Sequence, residues 1–88
     1  MTQSNVIAAP GLDEYFLDIT GDLCPMTFVK TKLRLERLPA GAVLEVRLNA
    51  GEPLANVPRS AAEHGHAILT LAPEAPGSAV YRLRIRKA

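Results

Sequence analysis

The sequence predicts an α+β domain, a two-layer sandwich with two helices on one face of a mixed four-stranded sheet, in the order βαβαββ. Three observations carry this. The chain has 88 residues, room for one hydrophobic core and not two. Four segments read as strands, three of them alternating apolar and polar residues with the two-residue period of a half-buried strand. Two of the intervals between them have helical character, and helices interleaved with strands pack as a layer against the sheet.

Residues 1–13 mix small and polar types with Pro10 and Gly11 and show no period, so they read as a flexible tail ahead of a domain over 14–88. Glu14 to Thr20 is the first strand, with Tyr15, Leu17 and Ile19 on one side and Asp18 on the other; Gly21 and Asp22 end it. Pro25 to Leu38 is rich in Met, Lys, Leu, Arg and Glu and has no Gly, which favours a helix ended by Pro39 and Gly41. Its core face is expected to be Phe28, Thr31, Leu35 and Leu38, with Val29 and Leu33 as a second strip and Lys30, Arg34 and Arg37 on the opposite side.

Ala42 to Leu48 alternates Leu44, Val46 and Leu48 with Glu45 and Arg47, a second strand that Asn49 to Gly51 turns out of the sheet. Glu52 to His64 is helical in character. Pro58 lacks a backbone donor and is expected to limit it to a short turn near Pro53 and a main helix from Pro58, capped by Gly65. Ala67 to Leu71 is the third strand, Pro73 to Gly77 a turn-rich connection, and Ala79 to Lys87 the fourth strand with Tyr81, Leu83 and Ile85 inward.

Ten Lys and Arg against nine Asp and Glu give a net charge of +1, so the whole-molecule field selects no class of partner and local patches must do so. A lone cysteine cannot form an internal disulfide, which argues against a bridged secreted scaffold and for a reducing compartment, the cytoplasm. No apolar run approaches the roughly 18 residues of a membrane span, and the first dozen residues carry no signal-peptide pattern.

That cysteine, Cys24, falls where the first strand's exit loop becomes a helix. Pro25 suits the first helical position, which makes Cys24 the expected N-cap, with the Met26 and Thr27 N–H groups aimed at its sulfur. The positive end of the helix dipole would favour a thiolate, and a persulfide would meet the same donors with its charge one atom further out. Asp22 would oppose this by like-charge repulsion if it faced the sulfur. The plain alternative is a small, inert, buried cysteine, which has no reason to prefer an electropositive helix start.

The segment reads Asp18-Ile-Thr-Gly21-Asp-Leu-Cys24-Pro25-Met26-Thr27. It resembles the signature of the TusA-type, or SirA-like, sulfur-carrier family: a first strand, an acidic residue, a Gly, and Cys-Pro-x-Pro opening a helix. The resemblance continues through the Leu38 to Gly41 turn, the Leu44 to Val46 strand, the Asn56-Val57-Pro58 stretch and Gly65, covering about 14–88. It implies a βαβαββ sandwich that accepts sulfane sulfur on Cys24, with Pro25, Met26, Thr27, Gly21 and Asp18 in support, and passes it on. It also implies a cysteine desulfurase or other persulfide donor and a downstream acceptor protein as partners, with no cofactor. Thr27 departs from the family pattern, standing where the second Pro belongs and adding an N–H and a hydroxyl.

His64 and His66 flank Gly65 but lack the further ligands a zinc site requires, so no metal is expected. Arg82, Arg84 and Arg86 alternate on the last strand and share one face, extended by Lys87 and Arg47. That row reads either as a partner-binding surface or as a solvated face that discourages edge pairing. Competing functions are a binding or regulatory module that kept the fold without sulfur chemistry, and a small RNA-binding domain, for which stacking aromatics are scarce.

Overall fold

The computed structural model describes residues 14–23 and 25–88; the expected N-terminal tail and Cys24 itself lie outside the described residues. The element order is β1 (Glu14–Asp18), α1 (Met26–Glu36), β2 (Val43–Asn49), α2 (Glu52–Glu63), β3 (Ala67–Pro73) and β4 (Val80–Arg86). The strands form one sheet in the order β1-β2-β4-β3, with β1 parallel to β2 and β4 antiparallel to both of its neighbours. This is the mixed sheet that the interleaved pattern predicts: α1 is the crossover of the parallel pair β1–β2, α2 carries the chain from β2 past the place of β4 to β3, and a short turn joins the antiparallel β3 and β4.

Strand alternation sorts the residues by face. On β2, Leu44, Val46 and Leu48 are fully buried while Glu45 and Arg47 face out, and on β4 Leu83 and Ile85 complete the same inner layer. Leu35, Leu38, Val57 and Ala61 close over it from the helical layer. The buried face of α1 is rotated slightly from the expected one: Thr27, Thr31 and Leu35 are buried, Phe28 is half-buried, and Leu38 packs just beyond the helix end. The Thr31 hydroxyl donates to the Thr27 carbonyl at 2.8 Å, which lets a polar side chain lie in this layer without an unmet bond.

Pro58 does not divide α2, contrary to the sequence expectation; it sits inside one continuous helix from Glu52 to Glu63. A proline removes one N–H and crowds one carbonyl, and burial of Val57 and Ala61 on either side outweighs that local loss. Gly51 supplies the N-cap at φ 97° and ψ −139°, a conformation closed to other residues, so α2 can begin directly after β2. A second correction concerns Lys87. It follows the outward Arg86, so it turns toward the helices, where its Nζ donates to the carbonyls of Leu35 (2.9 Å) and Leu38 (3.0 Å) at the end of α1. The cation meets the negative end of that helix's dipole and does not extend the arginine row.

Leu83→Ala is expected to cost roughly 2–5 kcal/mol by leaving a cavity in the central layer. A urea midpoint unchanged from wild type would show that this layer is not the core. Pro58→Ala restores one helical bond and is expected to raise stability by about 2 kcal/mol after the looser unfolded chain is counted. No rise in the melting midpoint would mean that the helix has fully relaxed around the proline.

Candidate functional site

The loop between β1 and α1 is held from three sides. Ile19 donates its N–H to the Arg47 carbonyl (2.9 Å), continuing the β1–β2 pairing past the strand end. Thr20 donates both its N–H (2.9 Å) and its hydroxyl (2.6 Å) to Asp18 Oδ1, and Asn49 at the end of β2 donates to the Thr20 carbonyl (2.8 Å). The Thr20 bonds, with the Arg47 guanidinium close by, hold the Asp18 carboxyl below its ordinary range. Asp18 therefore anchors the loop through Thr20 and Arg47.

Further on, Asp22 is paired with Lys30 on the first turns of α1 at 2.8 Å. The pair compensates the charge of Asp22. Its carboxylate is engaged by a cation and turned to the helix, which weakens any repulsion of an anion at the helix start. Lys32 pairs instead with Glu36. The first turn of α1 contains no acidic residue, so its positive end is not locally neutralised from within.

The start of α1 differs from the sequence expectation by one residue. Pro25, at φ −88° and ψ 3°, is the N-cap, and the helix begins at Met26. The Met26 N–H donates to the Leu23 carbonyl at 2.8 Å, and the first helical bond runs from the Val29 N–H to the Pro25 carbonyl at 3.1 Å. A turn closes here before the helix does, so the Met26 amide is already engaged rather than aimed at a sulfur. Thr27 is fully buried, on the core side of the helix. Leu23 and Met26, 83% and 47% exposed, give the residues around this turn an apolar outer surface. Gly21 has an ordinary φ and a Cβ there would meet nothing within 4 Å, so nothing in the described residues explains the glycine.

The arginine row lies elsewhere, on the open face of the sheet. Arg82 bonds Glu45 (2.5 Å) and Glu74 (2.8 Å); Arg84 bonds Glu45 (3.3 Å) and Glu14 (3.2 Å). Arg47 forms a two-pronged pair with Glu74 (2.7 and 3.1 Å) and reaches Asp18 at 3.2 Å. The cross-strand register produces this grid, setting Glu45 opposite Arg84 and Asp18 opposite Arg47. Arg82 also stacks over Phe16, 5.2 Å from the ring centre. Two of the three arginines expected to bind a partner are thus neutralised within the molecule; Arg86 is exposed at the strand end. Glu74, just beyond β3, is held down to about 2 by the Arg47 and then the Arg82 guanidinium.

His64 and His66 take structural places. His64 Nδ1 lies 2.8 Å from the Ser60 carbonyl and its ring sits 5.5 Å from that of Phe28, while His66 Nδ1 accepts the Ala88 N–H at 3.1 Å. Among the described residues no group of three metal-ligating side chains is present, and no helix is long and apolar enough to cross a membrane.

The described residues define a small α+β class with a cysteine-proline pair just ahead of α1 in the sequence, and comparison with known proteins bears on what that class does. The family model described as sulfurtransferase TusA matches residues 15–87, and the chain belongs to that family. A protein of Archaeoglobus fulgidus named "Putative sulfur carrier protein" is 38% identical over 71 residues, spanning 81% of this chain and 78% of that one. The similarly named YedF of Escherichia coli is 32% identical over 63 residues, 72% of this chain and 82% of its own. The crystal structure of a SirA-like protein from Desulfitobacterium hafniense has a TM-score of 0.69 over 82% of this chain and 95% of that one; at 22% identity the likeness speaks for the fold alone.

The loop-anchoring residues Thr20 and Asn49 and the clamp Glu74 were not among the sequence candidates. An Asn closing a strand was the only signal for the second of these. Because Glu74 is ionised at about 2 in the fold against an ordinary 4.5, its network contributes stability that is complete above pH 4.5 and lost as the pH falls toward 2. Glu74→Gln is expected to flatten the dependence of the urea midpoint on pH across that interval. An equally steep dependence in the variant would assign the acid sensitivity to other carboxylates.

Proposed function

We propose that this chain is a sulfur carrier that receives sulfane sulfur on Cys24 as a persulfide and passes it to an acceptor protein. The observation that carries the reading is the pairing of Cys24-Pro25 with the start of α1, at the end of a loop tied down through Asp18, Thr20, Asn49, Asp22 and Lys30. Membership of a sulfurtransferase family and relatives named as sulfur carriers support it.

The chemistry is exchange at sulfur. The Cys24 thiolate attacks the terminal sulfur of a donor persulfide, a new S–S bond forms to Cys24, the donor's S–S bond breaks, and the donor cysteine leaves as its thiolate. Repeating the step with an acceptor thiolate as nucleophile returns Cys24 to its starting state. No net oxidation or reduction occurs, so no cofactor is required. The helix start favours the anionic sulfur in both states, and Lys30 compensates the charge of Asp22, two residues before Cys24 in the sequence. Pro25 sets the turn that leads into the helix. With no second cysteine in the chain, a sulfur on Cys24 cannot be expelled by an internal disulfide, which suits a carrier in a reducing, cytoplasmic setting.

Intact-mass spectrometry after incubation with a cysteine desulfurase and cysteine tests this. The wild type is expected to gain about 32 Da, one sulfur, in a form that a thiol reductant removes, and Cys24→Ala to gain nothing. A wild type that stays unmodified with this donor and with a small-molecule persulfide would favour a binding module that kept the fold without the chemistry.

A further inference from the structure

Cations are distributed unevenly over this molecule. On the open face of the sheet Arg47, Arg82 and Arg84 are all bound to carboxylates. On α1, Arg34 and Arg37 have no carboxylate within ion-pair distance among the described residues. They line a cleft of about 230 Å³ between α1 and the sheet-edge strand β1, together with Lys30, Leu17 and Leu33.

The spacing of Met26, Lys30, Leu33, Arg34 and Arg37 places them on one face of the helix, running some 16 Å from its start at about 1.5 Å per residue. Met26 and Leu33 are 47% and 52% exposed, and Leu23 extends the apolar surface back across the turn. Among the described residues the only carboxylate paired with this stripe is Asp22, bound to Lys30. Exposed Leu23, Met26 and Leu33 beside arginines that no carboxylate of the described residues pairs have the composition of an apolar interface patch with a charged rim.

The cleft is smaller than the roughly 300–1,000 Å³ of small-molecule sites and is the size for a single inserted side chain. It contains no aromatic residue on which a base could stack, which disfavours single-stranded nucleic acid. A persulfide is handed over only when two sulfurs touch, so a donor protein's surface must lie against whatever surrounds Cys24. This stripe begins two residues from it.

We propose that the α1 stripe is the docking surface for the protein that loads sulfur onto Cys24, and that this partner presents an acidic segment with one apolar side chain seated between Leu17 and Leu33. The proposal rests on the sulfur-carrier reading and adds the partner's chemistry to it.

The test measures loading of the full chain from two sources, a cysteine desulfurase with cysteine and a small-molecule persulfide, for the wild type, Leu33→Ser, Arg34→Glu with Arg37→Glu, and Arg59→Glu as a charge change on α2. Melting curves verify that each variant is folded. The Leu33 and double arginine variants are expected to lose about tenfold or more in loading rate from the desulfurase, and to load from the small persulfide within about twofold of wild type. Wild-type loading from the desulfurase should also slow with salt more steeply than that of the double variant. Full desulfurase loading by the stripe variants, or an equal loss in Arg59→Glu, would overturn the docking surface and leave the carrier reading intact. Equal loss from both sources would overturn it as well, by placing the defect at the sulfur. A wild type that loads from neither source would remove the carrier reading, and the docking proposal with it.

Discussion

Strand β2 is the constraint on which the rest of the molecule depends. It is paired on both sides, and its residues alternate between complete burial at Leu44, Val46 and Leu48 and an outward acid and base at Glu45 and Arg47. A slip of one residue against either neighbour would put charge in the core and leucine in water, so the register is strongly specified. The outer ion-pair grid and the inner apolar layer are two consequences of that one register. So is the anchoring of the β1–α1 loop, because Arg47 and Asn49, which hold Ile19, Asp18 and Thr20, belong to the same strand.

The site is thereby supported from the sheet rather than from the helix it leads into. A side chain on a connecting loop is positioned only as well as the loop's polar groups are satisfied. Here bonds to Asp18, Asn49, Arg47 and Lys30 leave the segment before Cys24 little freedom. The ends of α1 are served by different means. Its start keeps the positive dipole end free of acidic residues, and its finish is met by Lys87 reaching across from the last strand. A net charge near zero conceals this arrangement. On the sheet's outer face Arg47, Arg82 and Arg84 are matched by carboxylates, while Arg34 and Arg37 on α1 meet none among the described residues.

The alternation of Leu44, Val46 and Leu48 and of Leu83 and Ile85 could be read directly as strands, because a half-buried sheet imposes a period of two on the local sequence. The helical spans were legible for a similar reason, and so was the grouping of Lys30, Arg34 and Arg37 on one side of the first helix. Pro58 misled because its penalty is local whereas the burial that overrides it is not. The ion pairs of the arginine row were not legible because alternation says which face a charge occupies and nothing about what lies opposite. Glu74 is 27 residues from Arg47, and Glu45 is 37 from Arg82.

By itself the sequence determined the element order, the inward residues of β1, β2 and β4, and the cysteine-proline pair just ahead of a helix, since each follows from chemistry within a few consecutive residues. Only the tertiary structure decided that the helix begins one residue later, with the Met26 amide already bonded, that Asp22 is held by Lys30, and that Arg47, Arg82 and Arg84 are paired while Arg34 and Arg37 find no carboxylate among the described residues. These depend on which groups distant in the chain are brought within hydrogen-bonding reach, a matter of register and packing that no local pattern encodes.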